Sequence, residues 1–205
     1  MKLFLCSSLP GYNEKLGEEF LNLLVKPPHQ NKLVIFSIDT TSEDIIEFQR
    51  RAKQKYLQLG IREENLKIVN LNSENIPDLE DLDILHMWGG NPYHYLQRIR
   101  EIGLDEKIKR FIDGGGIYVG TSAGSAIMGK EINEHFTKET NDIGLSDLSG
   151  LGYLDFCLYS HWDTFNTRLH DSAVRYVWET GKRVIFLTDN QAILVREDKW
   201  KIIST

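Results

Sequence analysis

Hydrophobic and polar positions along the chain follow two alternating rhythms. Short apolar runs at Lys2 to Cys6, Leu33 to Phe36, Leu66 to Val69, Leu82 to Trp88 and Ile117 to Val119 have the length of buried strands. Between them lie stretches whose apolar residues recur at helical spacing. Leu16, Phe20, Leu23 and Leu24 mark a helix within Tyr12 to Val25, which Pro27 and Pro28 stop. Ile45, Phe48, Ala52, Tyr56 and Leu59 form one face of a second helix, capped by Thr41 or Ser42 and ended by Gly60. A third helix begins near Asn91 and carries Tyr95, Leu96 and Ile99, and a fourth runs from Leu104 to Ile112. Later the pattern predicts a strand at Phe156 to Ser160, a helix over Thr167 to Thr180, and strands at Val184 to Leu187 and Ala192 to Val195. Such alternation makes an α/β fold: a mostly parallel sheet with helices on both faces, in three layers. No repeat or linker divides the chain, so a single domain over residues 1–205 is expected.

Composition narrows the function classes. The 205 residues are 41% hydrophobic and 26% charged, the balance of an ordinary globular protein rather than a disordered or collagen-like one. No apolar run reaches the length of a membrane span, and the N-terminal residues read as a first strand rather than a leader. Cys6 and Cys157 are the only cysteines, too few for a disulfide framework or a paired-cysteine zinc motif. A cytoplasmic location is the natural expectation. The net charge of −6 argues against a general nucleic-acid binder.

The sharpest chemical signal is Gly120-Thr121-Ser122-Ala123-Gly124, which follows an apolar strand and opens the helix-like run from Ser125 to Met128. This is the setting of a nucleophile elbow. A tight strand-to-helix turn projects a serine hydroxyl beyond the sheet. Flanking glycines avoid collisions with each other and with the adjoining strand. The helix start offers free N–H groups to a developing oxyanion. A packed turn of small residues is the plainer alternative.

A serine nucleophile needs a base. His29 lies in a proline-flanked loop, His94 and His170 lie in helical patterns, His86 is within a strand as a core group, and His135 is in a polar loop. His161 ends the run Cys157 to His161, at the carboxyl end of a strand, where open α/β sheets bind ligands. It is the best placed. Cys157 is no rival nucleophile, since four extended residues put it about 13 Å from His161. The orienting carboxylate is open among Glu131, Glu134, Glu139, Asp142, Asp147, Asp155 and Asp163. A second turn, Trp88-Gly89-Gly90-Asn91-Pro92, sits at a strand end, with Asn91 as an N-cap and Pro92 as first helical residue. Gly90 and Ala123 would supply the two amides of an oxyanion hole.

Together these residues resemble the dipeptidase E and cyanophycinase family of serine peptidases. The resemblance covers nearly the whole chain, on the Gly-Gly-Asn turn at 89 to 91, the elbow at 120 to 124, Thr140-Asn-Asp142, His161 after its strand, and the segment Leu187 to Leu194. It implies a class I glutamine-amidotransferase-like, flavodoxin-like fold, with Ser122 as nucleophile, His161 as base and Asp142 as orienting acid. It also implies substrate contacts from Asn91, Thr121 and Arg168. Thr167-Arg168 is similar to the pair with which aspartyl dipeptidases recognise an acidic side chain, and Arg175 is a second candidate. The spacing from Ser122 to Asp142 exceeds that of aspartyl dipeptidases by a small insertion around Asn133 to Lys138, which keeps Glu134 and Glu139 as alternative acids.

The expected activity is that of a serine exopeptidase on short peptides, Asp-X dipeptides among them, acting as a monomer or homodimer without metal or cofactor. Cyanophycinase-like cleavage of β-aspartyl-arginine, a non-catalytic ligand-binding module and an α/β-hydrolase-type esterase are the competing expectations. The esterase fits least, because the 39 positions from Ser122 to His161 leave little chain for its intervening elements.

Overall fold

The computed structural model describes residues 1–8, 14–38, 43–73, 75–164, 167–197 and 199–204. Nine strands and six helices are defined among these. In chain order they are β1 (Lys2–Cys6), α1 (Glu14–Leu21), β2 (Leu33–Ser37), α2 (Glu43–Gln58), β3 (Leu66–Asn70), β4 (Ile84–Met87), α3 (Pro92–Glu101), α4 (Leu104–Asp113), β5 (Ile117–Thr121), α5 (Ala123–Ala126), β6 (Cys157–Tyr159), α6 (Thr167–Thr180), β7 (Val184–Phe186), β8 (Gln191–Arg196) and β9 (Lys199–Ser204). The capping candidates Thr41 and Ser42, and the expected first helical residue Tyr12, lie outside the described residues.

Seven strands form one sheet in the order β3-β2-β4-β5-β1-β8-β9. The first five are mutually parallel, whereas β8 pairs antiparallel with both β1 and β9. Strand periodicity sorts side chains onto the two faces. Leu3 and Leu5 of β1 join Phe36, Met87 and Tyr118 beneath Leu96 and Ile99 of α3 and Ile108 and Ile112 of α4. Phe4 and Cys6 join Ile35 and Val119 on the opposite face, beneath Leu16 and Phe20 of α1 and Ala52 and Tyr56 of α2. Covering helices on both faces explain why these strands are apolar throughout rather than alternating.

Three expectations are corrected. The first helix ends at Leu21 rather than Val25, because Leu23 and Leu24 turn back to carbonyls three residues earlier, tightening the chain ahead of Pro27. A ninth strand, β9, lies outside the predicted elements; it is an edge strand whose apolar Trp200 and Ile202 are exposed while Ile203 is buried. The third correction bears on function. Strand β6, which leads to His161, is not part of the main sheet. It pairs in parallel with β7 as a separate two-stranded ribbon, extended by bonds from Leu187 N–H to Tyr159 O (2.8 Å) and from Trp162 N–H to Leu187 O (3.0 Å). No described helix is long and apolar enough to cross a membrane.

Candidate active site

The elbow is built by steric exclusion. Ser122 stands between β5 and α5 with φ 51° and ψ −110°, a conformation that side-chain-bearing residues rarely adopt. Close packing of the turn excludes a side chain on either side of it. A Cβ on Gly120 would come within 2.6 Å of the Gly124 carbonyl oxygen, and one on Gly124 within 2.0 Å of the Met87 carbonyl oxygen on neighbouring β4. Hydrogen bonds then fix the turn. Ser122 N–H donates to Cys6 O (3.0 Å), the Ser125 hydroxyl to the same carbonyl (2.7 Å), and the Tyr118 hydroxyl to Gly124 O (2.7 Å). Ala123 is the first residue of α5, so its N–H stands outside the intrahelical ladder.

The Gly-Gly turn lies against this elbow. A Cβ on Gly89 would stand 3.6 Å from the Ser122 Cβ, and Gly90 has φ +141° with Ile38 and Tyr95 behind it. Asn91 caps α3 by accepting from Tyr93 N–H at 2.9 Å, with Pro92 in the first helical turn. Gly90, Ser122, Ala123, Ser160 and His161 line one cleft, closed on another side by Phe136, Thr137, Lys138 and Glu139.

His161 also has left-handed backbone, with φ 61°. Its N–H donates to the Ser7 hydroxyl at 2.7 Å, and its Nδ1 lies 2.5 Å from Asp189 Oδ1. The Ser7 hydroxyl in turn donates to the same Asp189 oxygen at 2.9 Å. Partial burial alone would raise the Asp189 pKa, but the hydrogen bond and charge of His161, with the Ser7 hydroxyl, outweigh it and hold the carboxyl below its ordinary value. An ionised Asp189 accepts a hydrogen bond from Nδ1–H, which keeps the proton on Nδ1 and leaves Nε2 as the accepting nitrogen, the tautomer a general base needs.

Asp142, expected as the orienting acid, is elsewhere: its Oδ1 lies 2.7 Å from His94 Nε2 on α3, and its side chain is 57% exposed. The alternatives Glu134 and Glu139 do not replace it, since Nδ1 of His161 is taken by Asp189. Ser7 and Asp189 were both missed. Asp189 lies beyond the stretch from Glu131 to Asp163 that holds the candidate acids, although within the segment Leu187 to Leu194 that carries part of the resemblance. Asp163, weighed as an acid, instead accepts the backbone N–H of Asp189 at 3.0 Å.

The expected substrate contacts also have other partners. The Thr121 hydroxyl turns into the core, 2.9 Å from Nε2 of the fully buried His86, whose Nδ1 faces the Tyr56 hydroxyl at 3.1 Å. His86 is thus the satisfied core group expected, and burial pushes its pKa down to about 3. Asn91 spends its amide on Thr140 O at 2.9 Å. Arg168 lines a different hollow, along α6, with His135, Ser172, Arg175 and Tyr176. Helix geometry sets that outcome, because Arg168, Ser172 and Arg175 share one face of α6. Among the described residues no three His, Cys, Asp or Glu side chains gather as a metal site would require.

Comparison with known proteins fits this geometry. The model of "Peptidase family S51" matches residues 3–203. An uncharacterized peptidase of Listeria monocytogenes is 28% identical over 200 residues, spanning 95% of this chain and 94% of its own length. Peptidase E of Shewanella amazonensis is 30% identical over 121 residues, which is 57% of this chain and 49% of that protein. Among solved structures, a protein from Listeria monocytogenes provisionally assigned as Peptidase E superposes with a TM-score of 0.81 at 21% identity, covering 100% of this chain and 98% of the other. A peptidase from an acI-B1 actinobacterium gives 0.74 at 19% identity, covering 100% and 87%. The shared fold is of the class I glutamine amidotransferase type.

Proposed function

Since the chain belongs to peptidase family S51 and is a serine-type peptidase, we propose that it is an exopeptidase of short peptides working through an acyl-enzyme on Ser122. The observation that carries this reading is the meeting, in one cleft, of a serine on a left-handed elbow and a histidine whose Nδ1 is held by Asp189. In this scheme the Ser122 hydroxyl attacks the peptide carbonyl carbon while His161 Nε2 takes its proton. The carbonyl oxygen becomes an oxyanion received by the N–H groups of Gly90 and Ala123, a contribution worth about 3 kcal/mol per donor in comparable sites. Collapse of the intermediate breaks the C–N bond, and His161 returns the proton to the leaving amine. Water, activated by the same histidine, then frees the acyl group and restores Ser122.

Asp-X dipeptides are the first substrates to try, as the resemblance to aspartyl dipeptidases implies. The buried free thiols of Cys6 and Cys157 suit a reducing cytoplasm. Incubation with a fluorophosphonate, followed by peptide mapping, tests the chemistry directly. Stoichiometric modification of Ser122, absent from Ser122→Ala along with all dipeptide hydrolysis, is the expected result. Undiminished hydrolysis by a contaminant-free Ser122→Ala preparation would refute the scheme.

A further inference from the structure

Among the described residues, the cleft that holds Ser122 and His161 has two other charged side chains on its walls, Lys138 and Glu139. Charge discrimination inside this cleft therefore falls to those two neighbours. The arginines at 168 and 175 open instead onto the hollow along α6. A third group points the same way: the Ser160 hydroxyl, buried in the cleft wall, has no hydrogen-bond partner among the described residues. A buried hydroxyl left unpaired costs free energy, and a bound polar ligand would remove that cost.

The wall carrying Lys138 and Glu139 is fastened in place. Phe136 is buried against the Tyr159 and Tyr176 rings. Glu139 N–H donates to the Thr137 hydroxyl at 3.1 Å. Beyond it, Asn91 on the Gly-Gly turn donates to Thr140 O, and His94 on α3 holds Asp142. The segment is thereby clasped at both ends across the mouth of the cleft, and Asp142 serves as one half of a clasp.

Building on the serine-peptidase reading above, we infer that Lys138 and Glu139 are the specificity-determining pair, sorting the two charges of a short zwitterionic peptide. Lys138, with the Ser160 hydroxyl, receives a substrate carboxylate; Glu139 receives the free α-ammonium group. Opposite charges on adjacent residues suit a ligand that is itself small and doubly charged. They also select against peptides blocked at the amine.

The test separates recognition from catalysis. Binding is measured by calorimetric titration of Asp-Leu, Asn-Leu, Asp-Leu amide and N-acetyl-Asp-Leu into the Ser122→Ala protein, where no turnover occurs. Adding Lys138→Met is expected to weaken Asp-Leu roughly tenfold, the size of one lost charge-assisted bond, and to erase its advantage over a neutral analogue. If that advantage is over Asn-Leu, the side-chain carboxylate is read; if over the amide, the terminal one. Glu139→Gln should erase the preference for the free amine over its acetylated form. Ser160→Ala should weaken Asp-Leu about threefold without lowering the Tm, because it removes a hydroxyl without a hydrogen-bond partner among the described residues. An unaltered binding order in the Lys138 and Glu139 variants, a shift produced instead by Arg168→Ala, or no binding of any of these dipeptides would overturn the inference. Fluorophosphonate labelling of the wild-type protein reports independently on Ser122, so failure of the serine chemistry and failure of this pair are read in different experiments.

Discussion

Asp189 and His161 meet at 2.5 Å although 28 positions separate them. The contact forms where the chain leaves the β6–β7 ribbon and re-enters the main sheet at β8. Neither residue lies in a strand or helix, so the pair depends on how two separately hydrogen-bonded units abut.

Asp189→Asn keeps the shape but presents an amide to Nδ1, favouring the wrong tautomer of His161. The rate of fluorophosphonate labelling at Ser122 should fall by about four orders of magnitude, as when an orienting acid is neutralised in comparable triads. Asp142→Asn, which acts only through the wall of the cleft, should change that rate by less than about threefold. Equal losses in the two variants would return Asp142 to the catalytic group.

Ser7→Ala should be costly for a reason separate from catalysis. It strands the His161 N–H, which now donates to that hydroxyl, and removes one bond to Asp189. A loss of about 1–3 kcal/mol in urea unfolding is expected, with slower labelling of Ser122. Threonine at this position, able to keep both bonds, should recover part of each.

Gly124→Ala places a methyl group 2.0 Å from a backbone carbonyl of β4, which no rotamer change can relieve. Destabilisation of about 3 kcal/mol or more is expected, and thermal unfolding measures it. The same exchange at Gly129, where the nearest atom is 2.9 Å away, should cost less.

His86 makes stability depend on pH. Its folded pKa of about 3 lies below the ordinary 6.5, so the unfolded chain binds the proton more readily. The stability held by neutral His86 is complete above about pH 6.5 and drains away as pH falls toward about 3, at up to about 1.4 kcal/mol per pH unit. Urea midpoints measured across that window should fall more steeply for the wild type than for His86→Leu. Parallel curves would show that His86 does not titrate on unfolding.

Much of this architecture is legible in the pattern of the chain because local rules decide it. Helix α6 begins and ends at the residues its periodicity predicts, Thr167 and Thr180. The cap at Asn91 and the close-packed glycines of the elbow follow from sterics within a few residues. What local pattern cannot carry is partnership across the fold. Nothing near Asp189 marks it as the neighbour of His161, and nothing near Ser7 marks it as the tie between them. Asp142 drew attention through resemblance, yet its side chain meets a different histidine. Strand β9, at the sheet edge, takes its order from its antiparallel pairing with β8, which is again a partnership across the fold.

The two-stranded ribbon makes the reactive centre a joint rather than a single piece. Ser122 and Ser7 belong to the sheet side, while His161 arrives on the ribbon and Asp189 at its exit. In the proposed scheme, any displacement of the ribbon would move His161 and Asp189 together relative to Ser122. Leu158 of the ribbon and Leu187 at its end are buried in the same core as Leu5 and Tyr118 of the sheet, so that shared packing is what keeps the two sides of the joint in register.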